Sequence, residues 1–220
     1  MRTVIAGGHG QIALRLERLL ADRGDDVVGL IRNPAQIDDV RETGAEAVVL
    51  DLEAASVDEV AAVLNHADAA VFAAGAGPGS GPDRKLTVDR DAAVLLADAA
   101  ELAGVRRYVI ISSTGADAEA PGSDPTLTAY LRAKGAADDA IRARGAALDW
   151  TVLRPGRLTD SPGTGHVRLA PSVGRGSVPR DDVAAVIVAL LTHPGTAGVT
   201  LELVSGDTEI DESIRLVAGH

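Results

Sequence analysis

Short aliphatic runs alternate with amphipathic helical stretches along most of this chain, and the alternation narrows the choice of fold more than any other feature. The runs are Thr3 to Ala6, Val27 to Ile31, Ala47 to Leu50, Ala69 to Ala73, Tyr108 to Ile111 and Trp150 to Leu153. Between the first two, a helical stretch puts Ile12, Leu16, Leu19 and Leu20 on one face and stops near Gly24. Further helical segments fall around Ala35 to Glu42, Val57 to Leu64, about Asp83 to Ala103 and about Leu127 to Arg144. Parallel strands require a long crossover, and each helical stretch supplies one. The pattern predicts an α/β fold: a doubly wound parallel sheet, helices on both faces, ligands at the C-terminal strand ends. The last third is less regular, with a Gly/Pro-rich stretch from Pro155 to Gly176, a helix from about Asp181 to Leu191, a strand at Thr200 to Val204 and a terminal helix. Too little chain follows the Gly/Pro-rich stretch to fold alone. Residues 1–220 therefore read as a single domain, with about 155–220 forming a small substrate-covering portion.

Composition bounds the chemistry. The hydrophobic fraction is 46% and the aromatic fraction 2%, so the core has to be built from Ala, Val, Leu and Ile. Zero cysteines exclude disulfides, thiolate metal sites and cysteine nucleophiles. A net charge of -11 argues against nucleic-acid and anionic-membrane partners, which want a basic face. No export-signal pattern opens the chain and no apolar run reaches spanning length, so the expected compartment is the cytoplasm. The oligomeric state stays open between monomer and homodimer.

The first run breaks into Gly7-Gly8-His9-Gly10-Gln11-Ile12-Ala13, a glycine-rich turn at the start of a helix. Side-chain-free backbone admits a phosphate closely, and the helix N-terminus offers unpaired N–H groups. Gly7, Gly10, Gln11 and Ile12 are thus candidates to hold a dinucleotide pyrophosphate. Arg32 follows the second run, at the position where NAD-preferring sites carry an acid for the ribose hydroxyls. A guanidinium suits a 2′-phosphate, so NADP(H) is expected in preference to NAD(H). Asp51 and Leu52 follow the third run, where adenine would lie; Asp51 either accepts from the adenine amino group or begins the next turn. Ala73, Ala74 and Gly75 follow the fourth and would pass beside the pyrophosphate and nicotinamide ribose.

Tyr130 and Lys134 stand four apart on one helical stretch and therefore share a face. An ammonium there can lower the phenol pKa and hold the nicotinamide ribose, while the phenol donates a proton to a carbonyl. Ser112 and Ser113 end the fifth run, where one hydroxyl could polarise the same carbonyl or merely cap the turn. His9, His66, His166, His193 and His220 show no metal-ligand spacing.

With Gly104-Val105-Arg106-Arg107-Tyr108-Val109-Ile110-Ile111-Ser112-Ser113 and Leu148-Asp149-Trp150-Thr151-Val152-Leu153-Arg154-Pro155-Gly156, the chain resembles the atypical short-chain dehydrogenase/reductases end to end. These are NAD(P)H-binding proteins similar to sugar-nucleotide epimerases but shorter. The resemblance implies a Rossmann-like fold, Tyr130 and Lys134 as the acid pair, and Pro155, Gly156 and Leu158 as neighbours of the nicotinamide. It implies an NADP-dependent oxidoreductase that reduces a small carbonyl or conjugated molecule. Two alternatives fit the same residues: an NADPH-sensing regulatory protein without turnover, and a flavin or tetrapyrrole reductase. The substrate pocket is expected along Gly77 to Pro82, Gly115 to Thr126 and Thr159 to Gly174.

Overall fold

Neighbours in the first strand lie in different cores. Ile5 packs with Ala13, Leu16 and Leu20, whereas Val4 and Ala6 pack with Val60, Leu64 and Leu96. Side chains alternate across a strand, so a strand covered on both faces must be apolar throughout, which is why these runs read as continuous rather than alternating. The computed structural model describes residues 1–77 and 84–219. Part of the expected pocket segment from Gly77 to Pro82, the expected helix start at Asp83, and His220 lie outside the described residues.

The chain runs β1 (Arg2–Ala6), α1 (Gln11–Asp22), β2 (Asp26–Ile31), α2 (Ile37–Arg41), β3 (Glu46–Val49), α3 (Val57–Leu64) and β4 (Ala69–Phe72). A π-helical segment (Lys85–Asp91) leads into α4 (Ala92–Ala103), followed by β5 (Arg107–Ile111), α5 (Pro125–Arg142) and β6 (Asp149–Pro155). Then come β7 (Arg157–Thr159), β8 (His166–Ala170), β9 (Ser177–Pro179), α6 (Arg180–Thr192), β10 (Val199–Ser205), β11 (Thr208–Glu209) and α7 (Ile210–Ala218). The main sheet has the order β11-β8-β10-β6-β5-β4-β1-β2-β3. Strands from β3 to β10 in that order pair in parallel, and the order reverses between β1 and β4, the topological switch point where doubly wound sheets bind ligands.

The sheet is thus the Rossmann-like one that the sequence pattern predicts, with an addition. β8 pairs antiparallel with β10, and β11 with β8. Both arise where the sequence shows no strand signal, because β8 carries only Val167 and Leu169 as buried residues and sits among glycines and prolines. β7 and β9 form a separate two-stranded sheet. The helix expected around Ala35 to Glu42 opens with a 3₁₀ turn (Pro34–Gln36), where the Asn33 carboxamide oxygen accepts from the Ala35 N–H at 3.0 Å.

Arg107 ties the C-terminal portion to the sheet. Its guanidinium donates to the Asp149 carbonyl (2.7 Å), the Thr151 hydroxyl (2.9 Å), the Leu190 carbonyl (2.7 Å) and the Thr196 hydroxyl (3.0 Å). Burial pushes its pKa down to about 10, against the opposing pull of Asp149.

Glu17 lies on the inward face of α1 and is fully buried. A Cβ at Gly29 would fall 2.5 Å from Glu17 Oε1, so glycine on β2 makes the space for this carboxyl group. Thr43 donates to Glu17 Oε2 at 3.3 Å, and Oε1 has no hydrogen-bond partner among the described residues. Burial raises its pKa from 4.5 to about 8, opposed by the Thr43 hydrogen bond. A folded-state pKa above the unfolded value means that the native state binds the extra proton. The associated stability is fully present below pH 4.5 and is lost as pH rises through 8, at up to about 1.4 kcal/mol per pH unit. Glu17→Gln should therefore flatten the stability profile between pH 5 and 8 and make the protein more stable than the unmutated chain at pH 8. Urea denaturation across that range checks this, and parallel profiles for the two proteins would refute it.

Candidate active site

The β1–α1 turn is built to bring backbone against backbone. Gly7 has φ +82°, and a Cβ there would lie 2.6 Å from Ala74 Cα, so the turn and the segment after β4 abut with no side chain between them. The Gly7 and Gly8 N–H groups donate to Leu30 O at 3.1 and 2.9 Å, and Gly10 N–H donates to Gly7 O at 2.8 Å. Gly10 is the N-cap of α1 and supplies no side-chain cap. The amides of Gln11 and Ile12 head a twelve-residue helix and have no intrahelical acceptor, which leaves them to an anion placed over the turn.

A cleft of about 330 Å³ opens over this turn. Its lining includes Gly7, Gly10, Arg32, Asp51, Leu52, Ala73, Ala74 and Gly75, so most of the residues assigned from sequence to the pyrophosphate, the 2′-phosphate and the adenine meet in one place. Asp51 begins the next turn: its carboxylate accepts from the Glu53 N–H at 3.0 Å, and its carbonyl from Ala54 and Ala55. Arg32 donates to Glu53 Oε2 at 2.9 Å. His9 lines the cleft and contacts Asp39 at 2.7 Å through Nε2. The shape and donor set fit a dinucleotide, with bare backbone at the switch point, helix amides beyond it and a guanidinium at the end of β2.

Lys134 is buried on α5. Its ammonium reaches Ile111 O at 3.1 Å, Asp89 Oδ1 at 3.2 Å and, at 3.5 Å, the carbonyl of Ala74 in the cleft wall. The Phe72 ring lies 5.7 Å beneath it. Tyr130, one turn earlier on the same face, is half-buried. Ser112 is buried and donates to Asp138 Oδ2 at 2.9 Å; Arg154 donates to the same oxygen at 2.8 Å. Asp138 follows Lys134 by one turn, and burial raises its pKa against the pull of Arg154. Ser113 is half-buried, with its hydroxyl 3.3 Å from Thr114 O. Pro155, Gly156 and Leu158 are not among the residues lining the cleft, and neither are Gln11, Ile12, Ser112, Ser113, Tyr130 and Lys134. Gly156 N–H donates to Leu203 O, and Leu158 pairs with Val178 in the β7–β9 sheet.

Sequence reading missed Glu53, Arg84, Asp89, Asp138 and Arg154. Asp138 had a usable signal, since it continues the Tyr130–Lys134 stripe at the next helical turn. Asp89 had none, because its partner lies 45 positions away and only the fold joins them. Among the described residues, no group of His, Asp and Glu could hold a metal ion, and no helix is long and apolar enough to cross a membrane.

The sequence profile of an NAD(P)H-binding family matches residues 7–194. A Bacillus subtilis protein named an uncharacterized sugar epimerase, YhfK, is 37% identical over 98% of this chain and 99% of its own. A solved structure from Bacillus halodurans, provisionally named an NAD-dependent epimerase/dehydratase, is 34% identical with a TM-score of 0.89, covering 98% of this chain and 99% of that one. The oxidoreductase YlbE of Lactococcus lactis is 27% identical with a TM-score of 0.85, covering 100% and 98%.

The Ser112–Asp138–Arg154 network yields a prediction about stability. Arg154 has a side-chain exposure of only 16%, and Asp138→Ala would leave it without its carboxylate. The variant is expected to lose about 3 kcal/mol of unfolding free energy, the lower end for breaking a buried pair. Equilibrium urea denaturation measures this, and a loss below about 1 kcal/mol would show that the network contributes little.

Proposed function

The chain belongs to the NAD(P)H-binding family, and we propose that it is an NADP-dependent oxidoreductase reducing a small carbonyl or conjugated substrate by hydride transfer. One observation carries this reading: the Ala73–Gly75 segment that walls the nucleotide cleft is also the segment that Lys134 reaches from the Tyr130 helix face. A bound NADPH supplies the hydride. Gly7, Gly10, Gln11 and Ile12 hold the pyrophosphate through backbone, Arg32 holds the 2′-phosphate, and Asp51 and Leu52 border the adenine. Tyr130 donates its phenolic proton to the substrate oxygen. Lys134, fixed by Asp89, stabilises the phenolate left behind and anchors the ribose. Of the two serines, Ser113 is the better polariser, because it is half-buried and its hydroxyl donates only at 3.3 Å to Thr114 O, whereas Ser112 is buried and donates to the Asp138 carboxylate at 2.9 Å. Pro155, Gly156 and Leu158 border the nicotinamide side.

Two measurements test the reading. Arg32→Ala should weaken NADPH by about tenfold or more while leaving NADH little changed, since one charge-assisted contact contributes about 1.5 kcal/mol or more. Equal affinity of the unmutated protein for both nucleotides, by calorimetric titration, would remove the 2′-phosphate assignment. Tyr130→Phe should keep NADPH affinity within about threefold and slow single-turnover hydride transfer by roughly 10²- to 10⁴-fold. An unchanged transfer rate would remove Tyr130 as the acid. Tight NADPH binding with no turnover on any carbonyl, quinone or flavin would favour a sensing role.

A further inference from the structure

Two guanidinium groups from separate segments converge on one carboxylate at the adenosine end of the cleft. Arg32 follows β2, Arg84 precedes the π-helical segment, and Glu53 lies beyond β3. Arg32 and Arg84 donate to the same oxygen, Glu53 Oε2, at 2.9 and 2.8 Å. The Thr87 hydroxyl donates to Glu53 Oε1 at 2.7 Å, so both carboxylate oxygens are engaged. All three charged residues line the cleft. The arginines are 53% and 41% exposed, which makes the cluster a poor source of stability. Both cations share the hydrogen bonds of one carboxylate, with the Asp51 carboxylate near enough to act on Arg84 as well.

An uncharged ribose would need no such pair of cations. A phosphate on that ribose would, because guanidinium forks match its oxygens through parallel hydrogen bonds. Glu53 then occupies the position a phosphate would take between them. The hydrogen bond from Arg84, with help from Thr87 and Arg32, holds its carboxyl below the usual carboxylate range. It therefore stays charged at neutral pH and competes with any incoming anion. Resting on the reading of Arg32 as the 2′-phosphate residue, we propose that Arg84 is the second ligand of that phosphate. Glu53 is the internal counter-ion that holds both guanidinium groups in place until the phosphate displaces it.

Calorimetric titration of the unmutated protein, Arg84→Ala and Glu53→Gln with NADPH, NADH and 2′,5′-ADP tests this. The last probe carries the 2′-phosphate without the nicotinamide. Arg84→Ala should weaken NADPH and 2′,5′-ADP about tenfold and NADH less than about twofold. Glu53→Gln should tighten NADPH and 2′,5′-ADP about threefold, the effect of removing one like charge at roughly 6 Å in watery surroundings, and should not tighten NADH. Both side chains are partly exposed, so both variants are expected to fold, and a thermal melt verifies it. Equal losses for NADPH and NADH in Arg84→Ala would put Arg84 on the shared pyrophosphate and overturn the proposal. Weaker NADPH binding in Glu53→Gln would make Glu53 a scaffold and overturn it as well. If the unmutated protein prefers NADPH and Arg84→Ala changes nothing, this proposal fails while the Arg32 assignment stands. If the unmutated protein shows no preference, both fall together.

Discussion

The Lys134 ammonium, buried on α5, reaches the last carbonyl of β5, the Ala74 carbonyl beyond β4 and the Asp89 carboxylate of the π-helical segment. A buried charge has to be paired and hydrogen-bonded, so these three segments are constrained to meet around it. Two of them, the stretch after β4 and the π-helical segment, also wall the cleft. Asp89 extends the constraint by accepting from the Ala76 N–H at 3.3 Å, which fixes the stretch of chain after β4. π-Helical geometry costs regular hydrogen bonding and occurs often at functional sites. Here it coincides with the segment that carries Asp89.

Electrostatics in this protein are local. The chain carries a net charge of -11, yet its cleft is shaped for a polyanion. Screening confines the effect of distant surface carboxylates to roughly 8–10 Å, so the field at the cleft is set by groups that line it. Those groups are the backbone of the Gly7–Gly10 turn at one end and two guanidinium groups at the other, with Glu53 and the Asp51 carboxylate beside them. A global charge that argues against nucleic acid is therefore compatible with tight recognition of a small anion.

Much of the cleft was legible in the sequence because its determinants are local. Strand, turn and helix follow one another within a few residues, and Gly7, Gly10 and Arg32 fall at fixed offsets from strand ends. The parallel order from β3 to β6 follows from the same alternation. Among the C-terminal strands β10 was legible, at Thr200 to Val204, whereas β7, β8 and β9 were not, because they are held by pairing with distant partners and have little apolar pattern of their own. The same physics hid half of the site. Lys134 was visible as the partner of Tyr130 through helical spacing, whereas its contacts with Asp89 and Ile111 exist only once the chain has folded. Arg32 was visible at the end of its strand, whereas Glu53, which engages it, is brought in by the neighbouring strand.

Arg107 carries an implication for how the molecule comes apart. It sits at the start of a central strand, but two of its four hydrogen-bond acceptors, Leu190 O and the Thr196 hydroxyl, belong to the end of α6 and the turn that follows. Peeling that helix from the sheet would leave a guanidinium facing the interior with half its acceptors gone, at a place where water enters poorly. Partial opening at this junction is thus penalised along with complete unfolding. The C-terminal portion, irregular as its sequence is, shares its cooperativity with the sheet rather than behaving as an appendage to it.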